Sequence, residues 1–287
     1  MREEDFPAIF NSADKLAALE QARFYSLLRL DLVLLTIAAA ISLADVSHWL
    51  FAMLQAAILL LALALSIAAY VKRSEKIWYA ARALAESVKT LCWRYVSRAE
   101  PFDSDDRAAA ELLRIRLAAT LSQNRALASK FSDGLDAPQV TDVMRHMRNE
   151  PLHVRMKTYA EARIRNQRQW YAAKARFNRI RSRRFFISLI VVNGFAVISA
   201  LLRVRFPEFE FWPTDMLITI SAAIVAFSQA RRHSELAASY SLTAHEIGII
   251  QEKLVDVDGE VDFSRFVGDA ENAFSREHTQ WEARKDV

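Results

Sequence analysis

RNQRQWYAAKARFNRIRSRRFFISLIVV, residues 165–192, begins as a basic run and ends as pure hydrocarbon, with no turn residue to mark the change. Nine Lys or Arg residues lie from Arg163 to Arg184, and no Asp or Glu occurs between Ala162 and Pro207. Three readings compete: a nucleic-acid helix, an amphipathic helix bound by a calmodulin-type partner, and the collar of a transmembrane span. At about 100° per residue, Arg176, Arg179, Arg181, Arg183 and Arg184 spread over more than half of a helix circumference instead of lining one stripe. A bilayer rim needs that distribution, and its Lys/Arg excess marks the cytoplasmic side. The run therefore reads as a stalk entering lipid.

The rest of the chain supports this. Hydrophobic residues make up 53% of 287 while charged residues still make up 25%, so polar and apolar residues are segregated into blocks. Only 5 Gly and 6 Pro argue for long helices with few breaks. Four apolar blocks form two pairs: LVLLTIAAAISLA (32–44) with WLFAMLQAAILLLALALSIAAYV (49–71), and FFISLIVVNGFAVISALL (185–202) with MLITISAAIVAFSQA (216–230). A helix crossing the hydrocarbon core needs about 20 apolar residues. The second block meets that outright, and the first and fourth reach it with flanking residues such as Leu27, Leu28 and Trp212. Spans are expected at about 28–46, 49–71, 185–202 and 213–230.

Charge sets the expected topology. Lys72 and Arg73 follow the second span, and Arg231 and Arg232 follow the fourth. With the collar at 176–184 they place both termini and the middle segment in the cytoplasm. The opening MREEDFPAIF has acids where a secretory leader has its basic region, so secretion is not expected. The fold class is an all-α membrane protein: four transmembrane helices as two hairpins, with long cytoplasmic helices forming a bundle. One such helix is expected from about Lys72 to Glu100, and a second is capped by DSDD (103–106) and runs to about Phe131. Breaks follow at Gly134, Pro138 and Pro151. An unbroken helix runs from about Leu152 into the third span. Another leaves the fourth span and reaches about Leu254, and a last helix covers about 263–285. QARF (21–24) and KARF (174–177), each about eight residues before an apolar block, mark a faint internal repeat.

Catalytic and metal chemistry find no support. Five glycines, at 134, 194, 248, 259 and 268, build no phosphate loop. His146 and His153 are separated by Pro151 and lack a third ligand at suitable spacing. DVDG (256–259) places Val261 and Val267 where a calcium loop needs Gly and Glu. The single Cys92 excludes an internal disulfide. No enzyme activity, cofactor, metal or direct nucleic-acid partner is expected. Polar residues inside the spans are the candidates for pore-lining or interhelical contacts: Gln55, Asn193, Ser66, Ser199 and Thr219. An amide in lipid wants a partner across a helix interface or a wet lumen. Ser and Thr more often bond their own i−4 carbonyls. Asp31, close to Arg29, is expected in an interfacial ion pair; the alternative is an intramembrane functional carboxylate.

Residues 167–192 resemble the start of a SLATT domain, a two-transmembrane effector domain associated with SMODS nucleotide-generating enzymes and SLOG-type sensors. Its motif falls here on Gln169, Trp170, Tyr171, Lys174 and Ala175. DFPAIFNSADKLAALEQARFYSLLRLDLVLL (5–35) resembles the opening of another SLATT subtype, and WYAARALAESVKTLCWRY (78–95) resembles the helix after its second span. The resemblance implies two copies in tandem: a first unit at 1–132, a linker at 133–154 and a second unit at 155–287. It implies a bacterial inner-membrane effector of a conflict or antiphage system that oligomerises and opens a pore or disrupts the bilayer. The trigger would come from a nucleotide-generating or nucleotide-sensing partner. The alternative is a membrane-anchored scaffold or sensor without a pore. Trp170 and Tyr171, well above the rim, are expected to pack within the helical bundle.

Overall fold

The computed structural model describes residues 1–43, 49–131, 136–209 and 211–283. The expected DVSH turn (45–48), Gly134, Glu210 and the end of the last helix beyond Ala283 lie outside them. Every regular element among the described residues is helical. In order these are α1 (Ala8–Ile41), α2 (Trp49–Lys72), α3 (Ser74–Val96), α4 (Asp106–Gln123), α5 (Arg125–Ala128), α6 (Asp142–Asn149), α7 (Leu152–Tyr159), α8 (Asn166–Arg205), α9 (Thr214–Arg231), α10 (His233–Lys253) and α11 (Gly259–Ala283). A π-helical turn, Ala160–Arg165, joins α7 to α8, so the helical path from Leu152 to Arg205 is continuous, as expected.

Three helical stretches are long and apolar enough to cross a membrane: Ala8–Ile41, Trp49–Val96 and Leu152–Arg205. The fourth candidate, α9, has 18 residues and carries Asp215 and Arg231 within its ends. At about 1.5 Å per residue it reaches roughly 27 Å, a little under the hydrocarbon thickness.

The helix expected from Lys72 to Glu100 is interrupted twice. Arg73 adopts a left-handed conformation (φ 48°) between α2 and α3, and Arg98 (φ 54°) follows the end of α3. Arg232 (φ 48°) breaks the helix expected to continue past the fourth span. The second helix of each hairpin thus ends on a basic residue in the same rare conformation, which disfavours L side chains. Ser74 and His233, the first residues beyond, are both buried.

The chain divides into two compact units that do not follow the sequence repeat. A hairpin unit comprises Ala22–Ser74 and Ala172–Leu242. A polar unit gathers Met1–Gln21, Glu75–Tyr171 and Thr243–Val287. Each unit therefore takes segments from both halves of the chain. Within the polar unit the segment after Pro138 caps α1. The Pro138 carbonyl accepts from the Ala8 N–H (3.3 Å), and Gln139 Oε1 accepts from the Ile9 N–H (3.3 Å). These bonds serve donors that a helix start leaves without intrahelical partners. Asp105, within the expected DSDD cap, accepts from the N–H groups of Arg107 (3.0 Å) and Ala108 (3.1 Å).

Candidate functional site

In the hairpin unit, two antiparallel helix pairs are joined by polar rungs. Along α8 and α9, the Phe185 and Phe227 rings lie 5.8 Å apart. Ser221 Oγ donates to Asn193 Oδ1 (2.8 Å), and Ser199 Oγ and Thr214 Oγ1 share a hydrogen bond of 2.9 Å. Partners descend on α9 as they climb on α8, which is the register of a hairpin. Along α1 and α2, Gln55 Nε2 donates to the Ala38 carbonyl (3.2 Å) and Ser66 Oγ donates to Asp31 Oδ1 (3.2 Å). Thr219 donates to its own i−4 carbonyl at Asp215 (2.9 Å), as Thr36 does to Leu32 (2.8 Å). Gln55, Asn193, Ser66 and Ser199 are thus interhelical, and Thr219 is satisfied by its own helix.

The expected Asp31–Arg29 ion pair does not form. Arg29 turns back along α1, donating to the Tyr25 carbonyl (3.1 Å) and Ser26 Oγ (3.3 Å). Residues two apart on a helix do not face each other.

The collar residues Arg176, Arg179, Arg181, Arg183, Arg184, Lys72, Arg73 and Arg232 are exposed, and Arg231 is half-buried. Arg231 lies over the Tyr25 ring, 3.6 Å from its centroid. Arg232 pairs with Glu235 through Nε (2.9 Å). His233 Nδ1 meets Asn178 Oδ1 at 2.7 Å, while the Asn178 amide nitrogen donates to the Lys174 carbonyl (2.8 Å). That second bond fixes the amide orientation, so His233 Nδ1 carries the proton. Burial, then the charges of Arg231 and Arg181, push His233 below its ordinary value.

In the polar unit, Glu271 is the centre of a buried cluster that the sequence reading missed. It is 0% exposed and Arg163 is 2% exposed. Arg163 donates Nε to Oε1 (2.8 Å) and Nη2 to Oε2 (2.7 Å). Tyr159 O–H donates to Oε1 (2.9 Å) and Thr90 O–H to Oε2 (2.9 Å). Burial alone would lower the Arg163 guanidinium, but the charge and hydrogen bonds of Glu271 reverse this and hold it above its ordinary value. Burial first, and then Glu271, push the Tyr159 phenol and the nearby Cys92 thiol upward. The signal was present in the sequence. Glu271 occupies the helical register of Phe263, Val267 and Phe274, the apolar face of α11, where a carboxylate needs a partner.

Two further arginines close the end of α3. Arg148, 1% exposed, donates to the carbonyls of Tyr95 (2.8 Å) and Ser104 (2.7 Å) and to Asp106 (2.9 Å). Arg155 donates to the carbonyls of Ser97 (2.9 Å) and Glu150 (2.9 Å) and pairs with Glu260. Orphan carbonyls at a helix C-terminus are natural acceptors for such cations. Of the motif residues, Gln169 and Lys174 are exposed. Tyr171 is buried, and Trp170, 38% exposed, meets it edge-on at 5.0 Å. A cleft of about 430 Å³ in this unit is lined by Arg2, Lys89, Trp93, Asn166 and Gln167, among others. Among the described residues no group of His, Cys, Asp or Glu has the geometry to hold a metal.

Residues 7–156 match the family described as SMODS and SLOG-associating 2TM effector domain 3, and residues 159–281 match domain 1 of the same series. No curated protein and no solved structure matches the chain.

Proposed function

Because the chain belongs to the SMODS and SLOG-associating two-transmembrane effector family, through a tandem pair of its domains, we propose that its membrane effector role is carried out by permeabilising a bacterial inner membrane. Both termini and the polar unit lie in the cytoplasm, where a nucleotide-generating or nucleotide-sensing partner delivers the signal in an antiphage or related conflict. The observation that carries this reading is the closure of each hairpin on itself. Gln55, Asn193 and Ser199 are used in bonds between paired helices. The outward side chains, such as Leu60, Leu63, Phe186 and Leu201, are large, apolar and exposed. Four spans paired in this way are too few to enclose a wide lumen, so permeation requires several copies. The short α9 adds a mismatch with the bilayer that oligomerisation or local thinning relieves. Induced expression should depolarise cells and release a small dye; intact membranes alongside a working defence phenotype would sink the proposal.

A second reading, a membrane-anchored scaffold or sensor without a pore, draws on the polar cleft beside Lys89 and Trp93. It predicts that deleting the hairpins and supplying another membrane anchor preserves function.

A further inference from the structure

Asp31 is a carboxylate inside a membrane span, and among the described residues no cation pairs with it. Two independent counts give its depth. Arg231, at the basic rim, lies over Tyr25, and Asp31 is six residues further along α1, about 9 Å deeper. On the other helix, Ser66 hydrogen-bonds Asp31 and stands six residues before the rim residue Lys72. Arg29 reaches back toward the rim instead of forward to the carboxylate. Ser66 is the one hydrogen-bond partner of Asp31 among the described residues, and that bond is exposed. Asp31 is half-buried and Ser66 is exposed; Leu30, Leu63 and Ile67 beside them face outward, at 47%, 56% and 56% exposure.

A half-exposed carboxylate held by a single hydroxyl is strongly disfavoured against acyl chains at that depth; intramembrane acids face a partner helix or water. The other polar groups of the spans do not pose this problem. Gln55, Ser199 and Thr219 are satisfied within helix pairs or by backbone. Asn193 is a neutral amide already holding Ser221. The Asp31–Ser66 rung alone combines charge, depth and outward exposure among the described residues.

We propose that the face of the first hairpin bearing Asp31 and Ser66 lines a water-filled path between copies of this chain, and that the path takes hydrated monovalent cations. This rests on the permeabilising reading above and assigns it a lining and a charge selectivity. Each added copy contributes one carboxylate and one hydroxyl to the ring, and Arg29 is withdrawn toward the rim. A ring of like charge in a narrow lumen concentrates counter-ions and excludes co-ions.

The test uses the full chain in vesicles of phosphatidylethanolamine and phosphatidylglycerol, with two readouts. First, Ser66→Cys is exposed to charged, membrane-impermeant thiosulfonates, with the buried Cys92 as internal unreactive control. Labelling is expected, faster for the cationic than for the anionic reagent. Second, potassium-over-chloride permeability is measured for the native chain, Asp31→Asn and Asp31→Glu. Asp31→Asn should lower the ratio about tenfold, and Asp31→Glu should restore most of it. Size-exclusion profiles matching the native chain establish that the variants fold. A leaking chain whose Ser66→Cys stays unlabelled, or whose ratio ignores Asp31→Asn, overturns this inference and leaves permeabilisation standing. A native chain that does not leak overturns permeabilisation, and this inference falls with it.

Discussion

Arg163 grips both carboxylate oxygens of Glu271 with hydrogen bonds of 2.8 and 2.7 Å, and both side chains are buried. The two residues are 108 positions apart in the chain. Tyr159 and Thr90 fill the remaining acceptor sites of the carboxylate, so the charge is both paired and solvated by protein. Removing one partner strands the other in an apolar interior, whereas removing both does not. Glu271→Leu or Arg163→Met alone should destabilise the polar unit by about 3–5 kcal/mol. The double replacement should recover a large part of the loss. Thermal unfolding of the full chain in detergent, read as a double-mutant cycle, checks this; additive losses would refute it.

Asn193 and Ser221 make the matching argument inside the hairpin unit. Interhelical hydrogen bonds in lipid are modest, near 0.6 kcal/mol on average. Asn193→Leu and Ser221→Ala should each lower the unfolding midpoint slightly, with a coupling of about that size. The potassium-over-chloride permeability ratio should be less sensitive to Asn193→Leu than to Asp31→Asn. The reverse order would move the lumen to the second hairpin.

His233 contributes a pH dependence whose sign follows from its environment. Burial, Arg231 and Arg181 disfavour the imidazolium, so its folded value lies below the ordinary 6.5. The unfolded chain then binds the proton more readily, and stability rises with pH. The contribution is complete above about pH 6.5 and is lost as pH falls below that toward the folded value. Comparing unfolding midpoints from pH 8 to 5 for the native chain and His233→Gln tests it. The variant should show a shallower loss on acidification.

Cys92 is buried, and burial together with the charge of Glu271 keeps its thiol protonated. Thiolate is the reactive form. A water-soluble maleimide at neutral pH should therefore leave the folded chain unmodified and label it in denaturant. Labelling in Glu271→Leu without denaturant would report that the core has opened.

Three of the four expected spans were legible because hydrocarbon thickness imposes a length that few soluble helices match; α9, with 18 residues, falls short of it. The N-cap at Asp105 was legible because such a cap is a local contact. Arg73 and Arg232 were not, since a left-handed residue is normally announced by Gly or Asn and arginine carries no such signal. Glu271 was half legible: its register on α11 is apolar, but nothing local says that Arg163 is the group awaiting it. The Asp31–Arg29 pair that nearness along the chain suggests fails because residues two apart fall on different sides of a helix.

The interleaving of the two halves has a consequence for the gene. Thr90 and Cys92 come from the first family match, and Arg163 and Glu271 from the second, yet they share one interior. Deleting either copy should therefore leave the other without part of this core. Recombination at the boundary near residue 157 would produce two incomplete proteins instead of two smaller ones. A substitution at Thr90 on one side of that boundary is thus expected to be felt at Arg163 and Glu271 on the other.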